Sequence, residues 1–208
     1  MRKHRSYQLF ENDIPSEVQI VGDIAIDTEA LGLNLKRDRL CLVQICDSAG
    51  SIFLIKYNTI TFDSPNLVKL LQDENRVKIF HYGRFDISIL MHSFNINFIA
   101  PIFCTKIASK LTRTYTDSHG LKTICRELLG EELNKESQSS DWSSIELTNK
   151  QIQYAINDVI YLHKLRDIFI QKLKNRNRLE NAVEYFKFLN IICKMDLEGF
   201  NGSNLFDH

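Results

Sequence analysis

The chain has 208 residues, 44% of them hydrophobic and 25% charged, which excludes a disordered or low-complexity protein and fits one globular domain. Its 26 basic and 26 acidic side chains cancel, whereas proteins that follow a long polyanion usually carry a basic excess. No apolar run approaches the ~18 residues of a membrane span, and the basic start is followed by no signal-like apolar core. We therefore expect one soluble, cytoplasmic domain over residues 1–208, with its core at about 18–174 and a C-terminal helix and tail at 175–208.

Hydrophobic periodicity predicts the secondary structure in chain order. Strands are predicted near 18–27, 40–47, 51–56, 76–80 and 98–103. Helices are predicted near 64–73, 84–94, 104–111, 118–129, 148–174 and 177–195, with Ser64 and Pro65 at the first helix start. Because strands come first and helices afterwards, we expect an α/β fold in which helices flank a mixed sheet.

The first acidic pair closes the first predicted strand. Side chains alternate along a strand, so Asp27 and Glu29 project together and Thr28 points away. Two carboxylates on one face suit Mg2+ or Mn2+, which bind carboxylates and water and leave positions for phosphate. The alternative is an ordinary solvated strand end.

Another acidic residue, Asp86, lies where the strand near 76–80 gives way to a helix. Such junctions gather ligand groups because they open outside the ends of the strands. The alternative is an aspartate that only favours the helix N-terminus through the macrodipole.

Tyr154 and Asp158 stand four residues apart on the long helix, behind a capping box of Thr148 and Gln151. They therefore share one helical face, although a core tyrosine beside a solvated aspartate would show the same spacing. The three acidic segments occur together and on suitable elements. This joint pattern indicates a two-metal nuclease centre formed by four carboxylates and one tyrosine.

The three segments resemble the motifs of the DEDDy branch of 3′-to-5′ exonucleases, in the ribonuclease D superfamily. Within it, further runs are similar to the nanoRNase C group, whose short members degrade dinucleotides; these runs are 40–45, 103–117, 119–125 and 138–142. The tail departs from the pattern, with Phe200 where tryptophan is expected. The resemblance implies a ribonuclease H-like fold.

The resemblance also implies a mechanism with two Mg2+ or Mn2+ ions. Asp27 would bridge the ions. Glu29 and Asp158 would hold the ion that activates water, and Asp86 would help to hold the other. Tyr154 would orient the water, and the product would be a nucleoside 5′-monophosphate released from the 3′ end.

A rival assignment joins His81 to Asp86, a spacing that resembles the last motif of the sister DEDDh branch. It fails on order, because Gly83 interrupts the segment and the pair of Tyr154 and Asp158 would be left without a role. His81 is interpreted instead as a pocket residue near the substrate, with a hydrogen-bonded wall residue as the alternative.

Further residues are candidates for substrate binding. The resemblance implies a wedge between two bases, which we assign to Leu31 or Leu33, with ordinary core leucines as the alternative. The loop 112–117 combines hydroxyls, a cation and an aromatic ring, which suits phosphate binding, although most such charges are simply solvated. The aperiodic loop 130–146 carries the only tryptophan, so we expect it to be ordered and to border the site. The candidates in and beside these loops are Lys106, Arg113, Tyr115, Gln138 and Trp142.

The five cysteines are odd in number and contain no Cys-x-x-Cys pair. They fall mostly in apolar strands and helices. We therefore expect buried, reduced thiols rather than disulfides or a zinc site.

The function expected from these features is hydrolysis of short single-stranded RNA, especially dinucleotides such as pGpG. Neutral charge and the lack of an added helical nucleic-acid-binding domain favour it over the alternative, a general 3′ exonuclease on longer RNA or DNA. A non-catalytic relative is disfavoured because all four carboxylates are present. The resemblance implies a homo-octamer, and the apolar surface of helix 177–195 fits either an interface or burial within the monomer.

Overall fold

The computed structural model describes residues 6–59, 61–133 and 140–200. Within these ranges one sheet contains six strands: β1 (Tyr7–Glu11), β2 (Ile24–Ala30), β3 (Leu40–Asp47), β4 (Ile52–Lys56), β5 (Lys78–Phe80) and β6 (Ile102–Cys104). The helices of these ranges are α1 (Pro65–Gln72), α2 (Arg84–Phe94), α3 (Thr105–Thr112), α4 (Leu121–Leu129), α5 (Asn149–Ile160), α6 (Leu162–Asn175) and α7 (Leu179–Glu198).

The strand order across the sheet is β1-β4-β3-β2-β5-β6, and the pairing is mixed. β3 runs antiparallel to β2 and β4, whereas β5 runs parallel to β2 and β6 runs parallel to β5. All eight residues of β3 are buried, as in a central strand covered on both faces. The predicted α/β fold with a mixed sheet and flanking helices is confirmed. Because β2 and β5 are parallel, their carboxyl ends share one edge of the sheet.

The strand predictions differ from the structure at both ends of the sheet. The strand predicted at 18–27 begins at Ile24 and continues to Ala30, because β3 pairs along its whole length. Glu29 therefore lies inside a strand and not in a turn after it. β1 is not predicted by the sequence, since this edge strand is mostly exposed and has no alternating apolar face. The strand predicted at 98–103 is only the short β6.

The helix predicted at 148–174 is two helices, α5 and α6, that meet at Tyr161. Buried apolar residues continue on both sides of the break, for example Ile160 and Leu162, so periodicity does not reveal it. α5 packs on β2 and β3, whereas α6 packs mainly on α3. The break at Tyr161 thus separates α5, which faces the central strands, from α6, which packs on α3.

Two helix starts agree with the sequence. In α5 the predicted capping box is present, with the Gln151 N–H bonded to the Thr148 hydroxyl and the Thr148 N–H bonded to the Gln151 side chain. In α1 Ser64 is the N-cap and Pro65 the first residue, but the capping bonds come from elsewhere. The Asp13 carboxylate accepts the first free N–H groups of that helix, at 2.9 Å each.

The remaining predictions concern membrane spans, the cysteines and the apolar residues of α7. None of the described helices is both long and apolar enough to cross a membrane. The five cysteines are buried and unbridged, as predicted. α7 buries Ala182, Phe186 and Leu189 against the chain and exposes Val183 and Tyr185. Burial within the monomer therefore explains one face of α7, and the other face carries apolar side chains outward.

Candidate active site

The site is built first on β2, at the centre of the sheet. Asp27 and Glu29 are two residues apart on this strand, so their side chains leave the same face. Asp27 lies opposite Gln44 of β3, and the Gln44 amide donates a 2.9 Å hydrogen bond from Nε2 to Asp27 Oδ2. The Asp27 carboxylate is thereby held over the central strands.

α5 brings Asp158 to the same place. One carboxylate oxygen from each of Asp27, Glu29 and Asp158 lies within 4.8 Å of the other two. Tyr154 is one helical turn earlier on the same face of α5, so its phenol lies beside Asp158. The capping box at the start of α5 fixes where this turn begins, and so helps to place both side chains.

The fourth carboxylate, Asp86, enters from the first turn of α2 and is buried. Its Oδ1 accepts two bonds from Thr28, one from the hydroxyl at 2.6 Å and one from the backbone N–H at 3.0 Å. The sequence predicts that Thr28 points away from Asp27 and Glu29, and therefore gives it no place at the site. The second part is wrong, because Thr28 holds Asp86. Thr28 alternates with its two acidic neighbours along β2, but β5 and α2 bring Asp86 to meet it.

Burial raises the pKa values of three of these carboxyls, and mutual repulsion adds to the shift at Asp27 and Glu29. The pKa of Asp27 is raised well above its usual value by burial and then by Asp86, Asp158 and Glu29. Burial, with Asp158 and Asp86, raises the pKa of Glu29 to about 9. Burial raises the pKa of Asp86 to about 6, against the opposing effect of the Thr28 hydrogen bonds. A hard divalent cation offsets such repulsion, so this oxygen donor set fits Mg2+ or Mn2+.

The carboxylates lie in a cleft of about 810 Å³. Leu31 and Leu33 line it beside the end of β2 and are 50% and 84% exposed. The alternative that both are core leucines is therefore wrong. Gly32 between them has no room for a side chain, because a Cβ there would meet the Asp38 carboxylate at 2.3 Å.

Two of the other predicted substrate residues also line the cleft. His81 Nδ1 is 2.8 Å from the Thr105 hydroxyl, which joins the ends of β5 and β6. The Lys106 ammonium lies 3.3 Å from the ring centroid of Tyr82, a cleft residue that the sequence does not predict. Tyr82 has a φ of 64°, a left-handed conformation that a bulky residue seldom adopts.

The described part of the loop 130–146 borders the site, as predicted. Trp142 is 2% exposed, lines the cleft and packs its ring 6.0 Å from that of Tyr154. Two polar side chains hold its backbone: Lys56 Nζ donates to the Trp142 carbonyl at 2.6 Å, and Gln151 Nε2 donates to the Asp141 carbonyl at 3.0 Å. Gln138, also predicted to bind substrate, lies outside the described residues.

Arg113 and Tyr115 are not among the residues that line the cleft. Arg113 is completely buried, and its guanidinium donates to the Ser118 carbonyl at 2.7 Å and to the Glu127 carboxylate. The predicted substrate role of Arg113 is therefore wrong for this chain, because the side chain is used to hold the loop after α3. Tyr115 is 70% exposed, with its ring beside the Arg113 guanidinium.

Sequence reasoning misses four residues at the site: Thr28, Gln44, Lys56 and Tyr82. One signal was available, since Gln44 and Lys56 are polar residues within otherwise apolar strands. A buried polar residue in a central strand usually has a specific partner. Thr28 and Tyr82 give no such signal, because neither is a polar residue that interrupts an apolar run.

Comparison with known proteins relates the chain to exonucleases. A family model described as a 3′-5′ exonuclease matches residues 7–174. The chain is 31% identical over 159 residues to ribonuclease D of Gluconacetobacter diazotrophicus, covering 76% of this chain and 39% of that protein. It thus spans about two fifths of the length of that relative.

Two solved structures resemble the whole chain. The structure of Brucella melitensis NrnC bound to pGG is 47% identical, with a TM-score of 0.93 and coverage of 99% of this chain and 100% of that one. Brucella melitensis NrnC with bound Mg2+ is also 47% identical, with a TM-score of 0.91 and coverage of 98% and 100%.

Proposed function

Because the chain belongs to the 3′-5′ exonuclease family of the ribonuclease D superfamily, we propose that it hydrolyses short oligoribonucleotides from the 3′ end, dinucleotides such as pGpG above all, to nucleoside 5′-monophosphates. The observation that carries the proposal is the convergence of four carboxylates and Tyr154 in one cleft. A cleft of about 810 Å³ is in the range of small-ligand sites and suits a substrate of few nucleotides.

Asp27, Glu29, Asp86 and Asp158 are the residues that would hold two divalent cations, Mg2+ or Mn2+. When bound, such ions supply an activated water and stabilise the charge on the leaving 3′-oxygen. The arrangement supports this division of the ligands: Asp27, Glu29 and Asp158 share one oxygen cluster, and Asp86 comes from α2. The Mg2+ in the related Brucella protein supports the choice of ion.

Tyr154 acts on the attacking water. Burial, together with the charges of Asp158, Glu29 and Asp27, raises the pKa of its phenol far above neutrality, so the metal-free chain holds it protonated. A neutral phenol beside Asp158 can orient a water molecule by hydrogen bonding. Trp142 packs against its ring and limits the positions that it can take.

The exposed cleft residues would bind the rest of the substrate. Leu31 and Leu33 project beside the carboxylates, where an apolar side chain can separate two stacked bases. Lys106 supplies positive charge for a phosphate, and His81 lies on the same side of the cleft. The pGG ligand of the related Brucella protein supports a substrate of this class.

The alternative is a general 3′-5′ exonuclease that acts on longer RNA or DNA. The similarity to ribonuclease D favours it, although the chain spans only about two fifths of that relative. We further propose, from the family resemblance and the exposed apolar side chains of α7, that the protein forms a homo-octamer in the cytoplasm. Sedimentation velocity of the purified chain tests this assembly.

The deciding experiment is a time course on 5′-labelled single-stranded RNAs of two to about twenty nucleotides, at equal concentration, with Mg2+, Mn2+ or EDTA. We expect turnover that needs the metal and falls steeply beyond about four nucleotides. Comparable rates at all lengths would establish the general exonuclease instead. Asp158→Asn serves as the control that removes one metal ligand, and matched DNA dinucleotides test the sugar preference.

A further inference from the structure

We propose that two neutral hydrogen-bond donors, the Thr28 hydroxyl and the Gln44 amide, position the carboxylates of Asp86 and Asp27 and thereby set the affinity of the site for divalent cations. The inference rests on the metal centre of the proposed function. Each donor acts through the carboxylate that it holds, so both are positioning residues.

Thr28 fixes Asp86 from two directions. Its hydroxyl and its backbone N–H both donate to Oδ1 of Asp86, at 2.6 Å and 3.0 Å. Two donors on a single oxygen set both the position and the rotation of the carboxylate. Oδ2 of Asp86 accepts neither of these bonds and can turn toward a cation.

Gln44 does the same for Asp27, which the proposed mechanism uses as the bridging ligand. Gln44 is fully buried within β3, and its Nε2 donates to Oδ2 of Asp27 at 2.9 Å. Among the described residues its own Oε1 has no hydrogen-bond partner. Burying an amide whose carbonyl oxygen has no partner destabilises a central strand. The bond to Asp27 is the feature that accounts for a glutamine at this position.

The neutrality of the donors matters as much as their position. A lysine or arginine here would neutralise the carboxylates and compete with the cation for them. A hydroxyl and an amide restrict the rotamers of Asp86 and Asp27 while leaving their negative charge to the metal. Groups that orient metal ligands in this way typically contribute 10–100-fold to metal affinity.

The test uses substitutions that remove a donor and keep the shape. Thr28→Val and Gln44→Met delete one bond each, and Thr28→Ser keeps the hydroxyl. Thr112→Val is the matched control, because within the described residues this buried hydroxyl donates to the Ala108 carbonyl and not to a carboxylate. Titration calorimetry with Mg2+ or Mn2+ alone, without substrate, measures the dissociation constant, and thermal unfolding in EDTA checks the fold.

We expect Thr28→Val and Gln44→Met each to raise the metal dissociation constant by about 10–100-fold, with Thr28→Ser close to wild type and Thr112→Val unchanged. In the hydrolysis assay the half-saturating metal concentration should rise by a similar factor, whereas kcat at saturating metal should largely recover. A structural role alone would lower the melting temperature without moving the dissociation constant.

Unchanged metal affinity in folded Thr28→Val and Gln44→Met overturns the inference. The two substitutions lie on different strands, so if one fails to fold the other decides. A wild-type chain that binds neither ion removes the metal centre and the inference with it. If the wild type binds metal, the two variants bind it more weakly as predicted, and the wild type cleaves no RNA, the proposed function is overturned and the inference stands.

Discussion

Two regions of this protein bury charge, and they treat it in opposite ways. Behind α3, the fully buried Arg113 guanidinium is bonded to the Ser118 carbonyl, the Ser109 hydroxyl and the Glu127 carboxylate. At the cleft, by contrast, burial and neighbouring like charges raise the pKa values of Asp27 and Glu29.

The difference teaches how to tell a structural charge from a functional one. A buried cation that the chain itself pairs with an anion and carbonyl oxygens contributes to the fold. Buried anions that repel one another destabilise the fold unless something from outside compensates them. The carboxylate cluster is therefore the place where a ligand of positive charge is expected, although Arg113 has the more conspicuous residue type for binding phosphate.

The largest expected effect comes from removing one charge of the cluster. Asp158→Asn should abolish detectable hydrolysis, because it deletes a metal ligand. It should also stabilise the metal-free protein, since it relieves repulsion from Asp27 and Glu29. Each kcal/mol of added stability should raise the melting temperature by about 2–4 °C. Thermal unfolding in EDTA and in Mg2+ measures the change in stability, and the RNA time course measures the loss of hydrolysis.

The melting temperatures in Mg2+ can also contradict the metal-binding role of Asp158. Mg2+ should raise the melting temperature of the wild type more than that of Asp158→Asn, because only the intact cluster binds the ion tightly. Equal metal stabilisation of both proteins, or retained turnover by the variant, would show that Asp158 holds no metal.

Tyr154→Phe separates orientation of the water from metal binding. The substitution keeps the ring against Trp142 and removes the phenol oxygen. We expect kcat to fall by about 100-fold or more, with KM and metal affinity changed by no more than about threefold. An unchanged rate at saturating substrate would remove the proposed role of the hydroxyl.

Arg113→Met tests the structural side of the comparison. It should destabilise the protein by about 2–4 kcal/mol, because the Ser118 carbonyl and Ser109 lose a buried donor while the half-exposed Glu127 regains water. Activity per folded molecule should stay within about threefold of wild type. Urea unfolding measures the first quantity. Loss of activity with wild-type stability would return Arg113 to the substrate site.

Lys56→Met should have the smallest effect and addresses the loop beside the cleft. Without the Lys56 ammonium the Trp142 carbonyl loses its donor, at a cost of about 1–3 kcal/mol. Since the chain has a single tryptophan, its fluorescence reports on this loop alone. We expect a red-shifted emission and a few-fold loss of kcat. Lys164→Met, an exposed lysine on α6, is the matched control and should leave the spectrum unchanged.

Much of the site could be predicted from the sequence because its residues lie on regular elements. Asp27 and Glu29 share a strand face, and Tyr154 and Asp158 share a helix face, by spacing alone. Asp86 marks a strand-to-helix junction. Periodicity and capping therefore predict the residues that project together, and the order of the segments predicts the type of centre.

Other features could not be predicted, because they depend on distances between elements. Arg113 sits in a polar loop sequence, yet packing of α3 and α4 buries it against Glu127. The break at Tyr161 falls inside a continuous apolar pattern. For Leu31 and Leu33 the sequence leaves a wedge and ordinary core leucines as alternatives, and only the tertiary structure shows that both are exposed.

The sequence by itself determined the chemistry of this protein: the acidic residues, the tyrosine and the elements that carry them, since local spacing fixes local direction. The tertiary structure alone decided the partners. It brought Thr28 to Asp86, Gln44 to Asp27 and Lys56 to the loop of Trp142. Such contacts join residues far apart in the chain, and their distances follow from how the sheet and helices pack, which no local pattern encodes.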